Sequence, residues 1–125
     1  MAKKSKELTL VTPSLKSFDC EDLDPIEAWV PSGDSVWYQL TLSIGPPDSE
    51  GADLFRVDVA TPTGLREARQ RGERIGLPPP IVVNPYGWSE VMVEIERRLE
   101  ACRDLSWFGM QESLRKQFLC EYEGM

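Results

Sequence analysis

Histidine is absent from all 125 residues, and with it go the commonest general base and the commonest metal ligand. Ser–His–Asp and Cys–His hydrolytic arrangements are therefore excluded. Cysteine is scarce. Cys20, Cys102 and Cys120 are widely spaced, odd in number and never in CxxC spacing. Neither a disulfide framework nor a zinc site is expected from them, only reduced and mostly buried thiols. The scattered glycines form no GxGxxG or GxxxxGK, which leaves nucleotide-cradling loops without support. No apolar run approaches the ~20 residues that span a bilayer. The basic segment 1–6 is followed by Leu8, Leu10 and Val11 interleaved with Thr9 and Thr12, a strand pattern and not a signal-peptide core. A cytoplasmic address is the expectation.

What is present suits a single domain over residues 1–125, with 1–7 as a flexible basic tail. Apolar residues make up 41% and charged residues 28%, ordinary proportions for a globular protein. A chain of this length buries roughly two thirds of its unfolded surface, so no metal or disulfide staple is needed. Acidic residues number 21 against 14 basic, for a net charge of −7. Such a surface repels the phosphate backbone and disfavours direct nucleic-acid binding. It attracts a basic protein and speeds its capture. Moderate negative charge also serves solubility alone.

Residues 8–18 read as a first strand, interrupted at Pro13, which cannot donate to a ladder. An acidic connection follows, holding Asp19, Glu21, Asp22, Asp24 and Glu27 and punctuated by Pro25 and Pro31, with Ile26 and Trp29 pinning it to the body. Val36, Tyr38, Leu40, Leu42 and Ile44 then alternate with Trp37, Gln39, Thr41 and Ser43. This period of two marks a half-buried strand. A turn-rich link over residues 45–51 leads to a second alternation, Phe55, Val57 and Val59 against Leu54, Arg56 and Asp58, and the pair reads as an antiparallel hairpin. Thr61-Pro62 signals a helix start, and the helix should end near Gly72. The Pro-rich stretch to residue 80 excludes regular structure, and Ile81, Val82 and Val83 form a short buried strand.

From Trp88 the period becomes helical. Trp88, Val91, Met92, Ile95, Leu99 and Cys102 share one stripe, with Glu94, Arg97 and Arg98 elsewhere and Glu94–Arg98 as an i,i+4 pair. Ser106 is a plausible N-cap for a further helix carrying Trp107, Met110, Leu114 and Phe118, and the chain closes on a short strand. Strands followed by late helices indicate an α+β fold: a mostly antiparallel sheet of about four to five strands, with a short helix and two C-terminal amphipathic helices packed on it.

Chemistry has few candidates. Asp22 with Asp24, or Asp48 with Glu50 and Asp53, offer carboxylates for acid–base work or Ca²⁺, but the second group lacks EF-hand spacing and both lie in loops where carboxylates are solvated. Cys102 belongs to an apolar stripe, and Cys20 is flanked by two acids that blunt its reactivity. No catalytic residue, cofactor or metal is expected. Trp88 and Trp107 read as core. Trp37 points away from Val36, Tyr38 and Leu40, so it is either covered by a helix or exposed; an exposed tryptophan beside carboxylates suits a protein interface.

The ordered set of segments carries a resemblance. It comprises Leu15-Lys16-Ser17-Phe18 with Asp22 and Leu23, then Trp29-Val30-Pro31, then the strand 38–44 running into Gly45-Pro46. Phe55-Arg56-Val57-Asp58-Val59 leads on to Thr61-Pro62 and Leu65, and the end supplies Trp107, Leu114 and Glu121-Tyr122-Glu123. Together these resemble the immunity protein 8 family of bacterial polymorphic toxin systems, over nearly the whole chain after its first ten residues. The resemblance implies a non-catalytic bacterial protein that binds a cognate toxin in the cytoplasm. It offers no catalytic residues and does not name the toxin.

Charge suggests how such binding would work: an acidic inhibitor covering the basic cleft of a nuclease-type toxin. The candidate contacts are Asp19, Glu21, Asp22, Asp24, Glu27 and Trp37, together with Asp48, Glu50 and Asp53. Glu90, Glu94, Glu96 and Glu100 are a second choice. A monomer is favoured. The rival readings are a general adaptor or assembly factor without a toxin partner and, less favoured, a small carboxylate enzyme.

Overall fold

The computed structural model describes residues 9–76 and 78–120. Its elements run β1 (Ser14–Asp19), a 3₁₀ turn (Ile26–Ala28), β2 (Trp37–Gly45), β3 (Asp53–Ala60), α1 (Pro62–Gln70), β4 (Ile81–Val82), α2 (Trp88–Glu100), α3 (Trp107–Gln117) and β5 (Leu119–Cys120). The fold is α+β, with a five-stranded sheet in the order β1-β2-β3-β4 and β5 also on β3. All pairings are antiparallel except β3–β4. The basic segment 1–7 and Glu121-Tyr122-Glu123 lie outside the described residues.

The expected hairpin is the centre of the molecule. β2 and β3 pair without interruption from Trp37↔Ala60 to Ile44↔Asp53. Strict alternation then puts Tyr38, Leu40, Leu42 and Ile44 on one face with Phe55, Val57 and Val59, all buried. Full burial of each such side chain stabilises the fold by roughly 1.5–3 kcal/mol. α2 brings Val91, Ile95 and Leu99 to this core, α3 brings Leu114, and Phe118 meets Phe55 at 6.4 Å.

The first strand differs from the expected 8–18. Regular pairing starts at Ser14, after Pro13, and upstream, among the described residues, only Val11 bridges to Asp104. A bulge between Leu15 and Ser17 makes Lys16 the extra residue. Leu15 and Phe18 are three apart and would face opposite sides of a regular strand, whereas the bulge lets both pack against the core.

Thr61 does more than cap. Its hydroxyl oxygen accepts from the Gly64 N–H at 3.2 Å and the Val36 N–H at 3.0 Å, and the hydroxyl donates to the Asp34 carbonyl. Gly64 lies so close to the Val36 backbone that a Cβ would fall 1.9 Å from its carbonyl oxygen, so the first turn of α1 needs glycine there. α1 ends in a Schellman motif. Gly72 is left-handed (φ 96°) and donates to Arg69 O, and Glu73 donates to Ala68 O, each at 3.0 Å.

Two expectations need correction. Val82 is 46% exposed, so β4 alternates in and out instead of being buried throughout. Arg98 was placed off the buried stripe of its helix, yet it is 4% exposed. Its guanidinium donates to Glu94 at 2.9 Å, to the Pro79 and Gln117 carbonyls at 2.9 Å and to the Pro80 carbonyl at 3.0 Å, and it lies 5.8 Å from the Phe118 ring centre. The irregular Pro-rich segment cannot satisfy its own carbonyls, and the five-donor fork of arginine does so from α2.

Candidate interaction surface

The acidic connection after β1 is held from beneath. Cys20 and Ile26 are buried, Leu23 N donates to Cys20 O at 3.3 Å, and Trp29 packs edge-on to Tyr38 at 6.0 Å and Tyr86 at 5.5 Å. The two tyrosine hydroxyls are hydrogen-bonded at 2.8 Å. Burial raises the pKa of both phenols, and the bond between them adds to the rise at Tyr38 while opposing it at Tyr86. With its apolar side chains anchored, the loop leaves Glu21, Asp22, Asp24 and Glu27 exposed, and Asp19 is exposed at the end of β1. Among the described residues none of these five acids is in an ion pair.

Asp22 and Trp37 meet here. They line one cleft of about 260 Å³ with Leu23, Trp29, Ser35 and Gln39. Trp37 is half-buried, and the guanidinium of Arg71, just past α1, sits 5.7 Å from its ring centre. Its indole N–H is buried without a hydrogen-bond partner among the described residues.

The other acids are elsewhere. Asp48, Glu50 and Asp53 sit at or beside the hairpin tip, eight steps along β2 from Trp37, which is roughly 27 Å at ~3.4 Å per residue. Asp48 and Glu50 are exposed, whereas Asp53 is half-buried and accepts from the Gln111 amide at 2.7 Å, so it ties α3 to the sheet. Of the helix acids, Glu94 is shared by Arg97 at 2.6 Å and Arg98 at 2.9 Å. Glu90 accepts from the Ser89 hydroxyl at 3.2 Å, and Glu100 lies 3.6 Å from Arg103.

A larger groove, about 530 Å³, runs between β1 and α2 and includes Leu15, Phe18, Met92, Glu96, Leu99 and Glu100. Sequence reasoning did not find it. The signal was the spacing Met92–Glu96–Leu99–Glu100, one helix face mixing apolar and acidic residues beside a strand that has no second partner among the described residues.

Nucleophile chemistry has little footing. Burial pushes the Cys102 thiol up to about 11 and raises Cys20 as well, so both stay protonated at neutral pH. Among the described residues no three His, Cys, Asp or Glu side chains are grouped to hold a metal. No helix is long and apolar enough to cross a membrane. Asp58, on the sheet face away from the core, has its pKa raised by burial despite a hydrogen bond from Gln39 and the nearby Arg56 charge.

A family model described as Immunity protein 8 matches residues 13–125. The chain belongs to the immunity protein 8 family. The match takes in every strand and helix above, together with both clefts and all the candidate acids. No curated protein and no solved structure matches. As an immunity protein 8 member, the chain is an immunity protein directed against a toxin.

Proposed function

We propose that this protein neutralises its toxin by binding alone, in the cytoplasm of the producing bacterium, through the acidic end of the sheet. The observation that carries the reading is the family match across residues 13–125. The geometry supports it at one place: Asp19, Glu21, Asp22, Asp24 and Glu27 are exposed and in no ion pair among the described residues, and Asp22 lines a cleft with Trp37. Unpaired surface charge contributes little to folding but steers an oppositely charged partner and sets its orientation. A half-buried tryptophan in the same cleft as Asp22 supplies apolar contact area, which is where interface energy concentrates.

A basic nuclease-type toxin fits this chemistry. Its active cleft must attract phosphate, and a carboxylate-rich loop competes for the same cations. Asp48 and Glu50 belong to a separate patch and would reach only a toxin large enough to span the hairpin. Expressing the chain with the toxin domain encoded beside its gene tests the reading. Growth should be restored and the toxin's activity lost in the purified complex. A toxin domain that stays equally lethal and active with the chain present rejects it.

A further inference from the structure

Among the described residues, β1 is the longest open edge of the sheet. β4 and β5 line the outer side of β3 one after the other, whereas β1 is paired, among the described residues, with β2 alone. An edge strand points N–H and C=O groups outward, where they can bond a further strand. Here that edge is one wall of the 530 Å³ groove. α2 is the other wall and runs antiparallel to β1, since Trp88 packs on Phe18 at 5.1 Å and Asp104, just past the helix, bridges Val11.

We propose that this groove accepts an extended segment of the toxin, which adds to β1 as a strand and turns Lys or Arg side chains towards Glu96 and Glu100. The inference rests on the immunity reading and names how the partner is held. Backbone bonds along β1 supply affinity, and alternate side chains reaching α2 supply specificity. The wall from Thr12 to Phe18 spans roughly 20 Å, enough for about six extended residues at ~3.3 Å each.

Charge selects the occupant. Glu96 is in no ion pair among the described residues, and Glu100 has only the long contact to Arg103. Lys16, the one cation among the groove's lining residues, turns its ammonium to the Ser49 carbonyl at 2.8 Å. The groove is therefore apolar at Leu15, Phe18, Met92 and Leu99 and negative along α2. A second copy fits poorly, because it carries −7 itself and the groove is negative along α2.

Amide hydrogen exchange of the whole chain, free and bound to the toxin domain encoded beside its gene, reads the added strand directly. The outward-facing amides of residues 14–19 should slow by about tenfold or more on binding. The double change E96R/E100R should weaken binding by about 100-fold while leaving the thermal melt in place. Unchanged exchange at residues 14–19 in a complex that still forms overturns strand addition and leaves the immunity reading standing. A wild-type chain that does not bind the toxin domain removes both.

Discussion

Arg98 and the acidic loop show two opposite uses of charge in one small protein. At Arg98 a cation is almost fully buried, and its donors are spent on Glu94 and on the carbonyls of Pro79, Pro80 and Gln117. Around Asp22 the acids face solvent with no cation in reach among the described residues. The first arrangement binds α2 to the Pro-rich segment and the end of α3, so its charge belongs to the fold. The second does nothing for the fold, because its loop is anchored by Cys20, Ile26 and Trp29. Charges left over after folding are the ones available to a partner.

Removing the arginine tests the first side of this contrast and should have the largest effect. Arg98→Met keeps the apolar stem but strands three carbonyls and the Glu94 carboxylate, and should cost about 3–5 kcal/mol in urea unfolding at neutral pH. A loss under ~1 kcal/mol would mean that water replaces the guanidinium and that the node is ornamental to stability. Reversing the loop charges tests the other side. E21K/D22K/D24K should leave the unfolding midpoint nearly unchanged, yet weaken toxin binding about 10–100-fold, chiefly in the association rate and most at low salt. A large stability loss with unchanged affinity would invert the contrast.

How far the sequence disclosed each region follows from the physics. Alternation over 36–44 and 54–59 made the hairpin legible, because a half-buried strand must repeat every two residues. Thr61 and Ser106 were legible as caps, since each side-chain oxygen accepts a hydrogen bond from the N–H three residues on. Arg98 was not legible. Its burial depends on carbonyls contributed 18 and 19 residues away, and no local pattern records that. The bulge at Lys16 was hidden for a related reason: only the register with β2 shows that Leu15 and Phe18 share a face. Of the candidate site residues, Asp22 and Trp37 proved to be neighbours because the loop folds back over the start of β2. The separation of Asp48, Glu50 and Asp53 from them was within reach, because the alternation over 36–44 already puts a long strand between the two groups.

Between the two extremes lies Arg71 over Trp37, a charge partly used by the fold at the edge of the proposed interface. Arg71→Ala should destabilise the chain by about 0.5–1 kcal/mol, the range of a partly exposed cation–π contact. It should also raise the solvent accessibility of Trp37, measured as a red shift and stronger quenching of tryptophan emission. Subtracting Trp37→Phe from the wild type, and the Arg71→Ala/Trp37→Phe double variant from Arg71→Ala, isolates this tryptophan from the other three. If the two difference spectra are the same, the guanidinium does not cover the ring.

The smallest effect expected is a pH dependence in which two carboxylates act with opposite sign. Glu94 is lowered from its ordinary value, chiefly by the hydrogen bond from Arg97, against the pull of burial and with Arg98 adding to it. A lowered acid contributes stability above the unfolded value, about 4.3, which is lost as pH falls through the folded value. Asp58 is raised by burial, so its ionised form costs stability at neutral pH, and the cost is relieved as pH falls towards the unfolded value of about 3.9. Acidification from neutrality should therefore relieve a cost at Asp58 and remove a contribution at Glu94, with slopes of opposite sign. Asp58→Asn should raise the urea midpoint at pH 7 and erase the gain on acidification. Glu94→Gln should lower the midpoint at pH 7 and flatten the acid limb. Identical pH profiles for the two variants would show that neither carboxylate titrates differently in the fold, and the assignment of Glu94 to folding would lose its electrostatic basis.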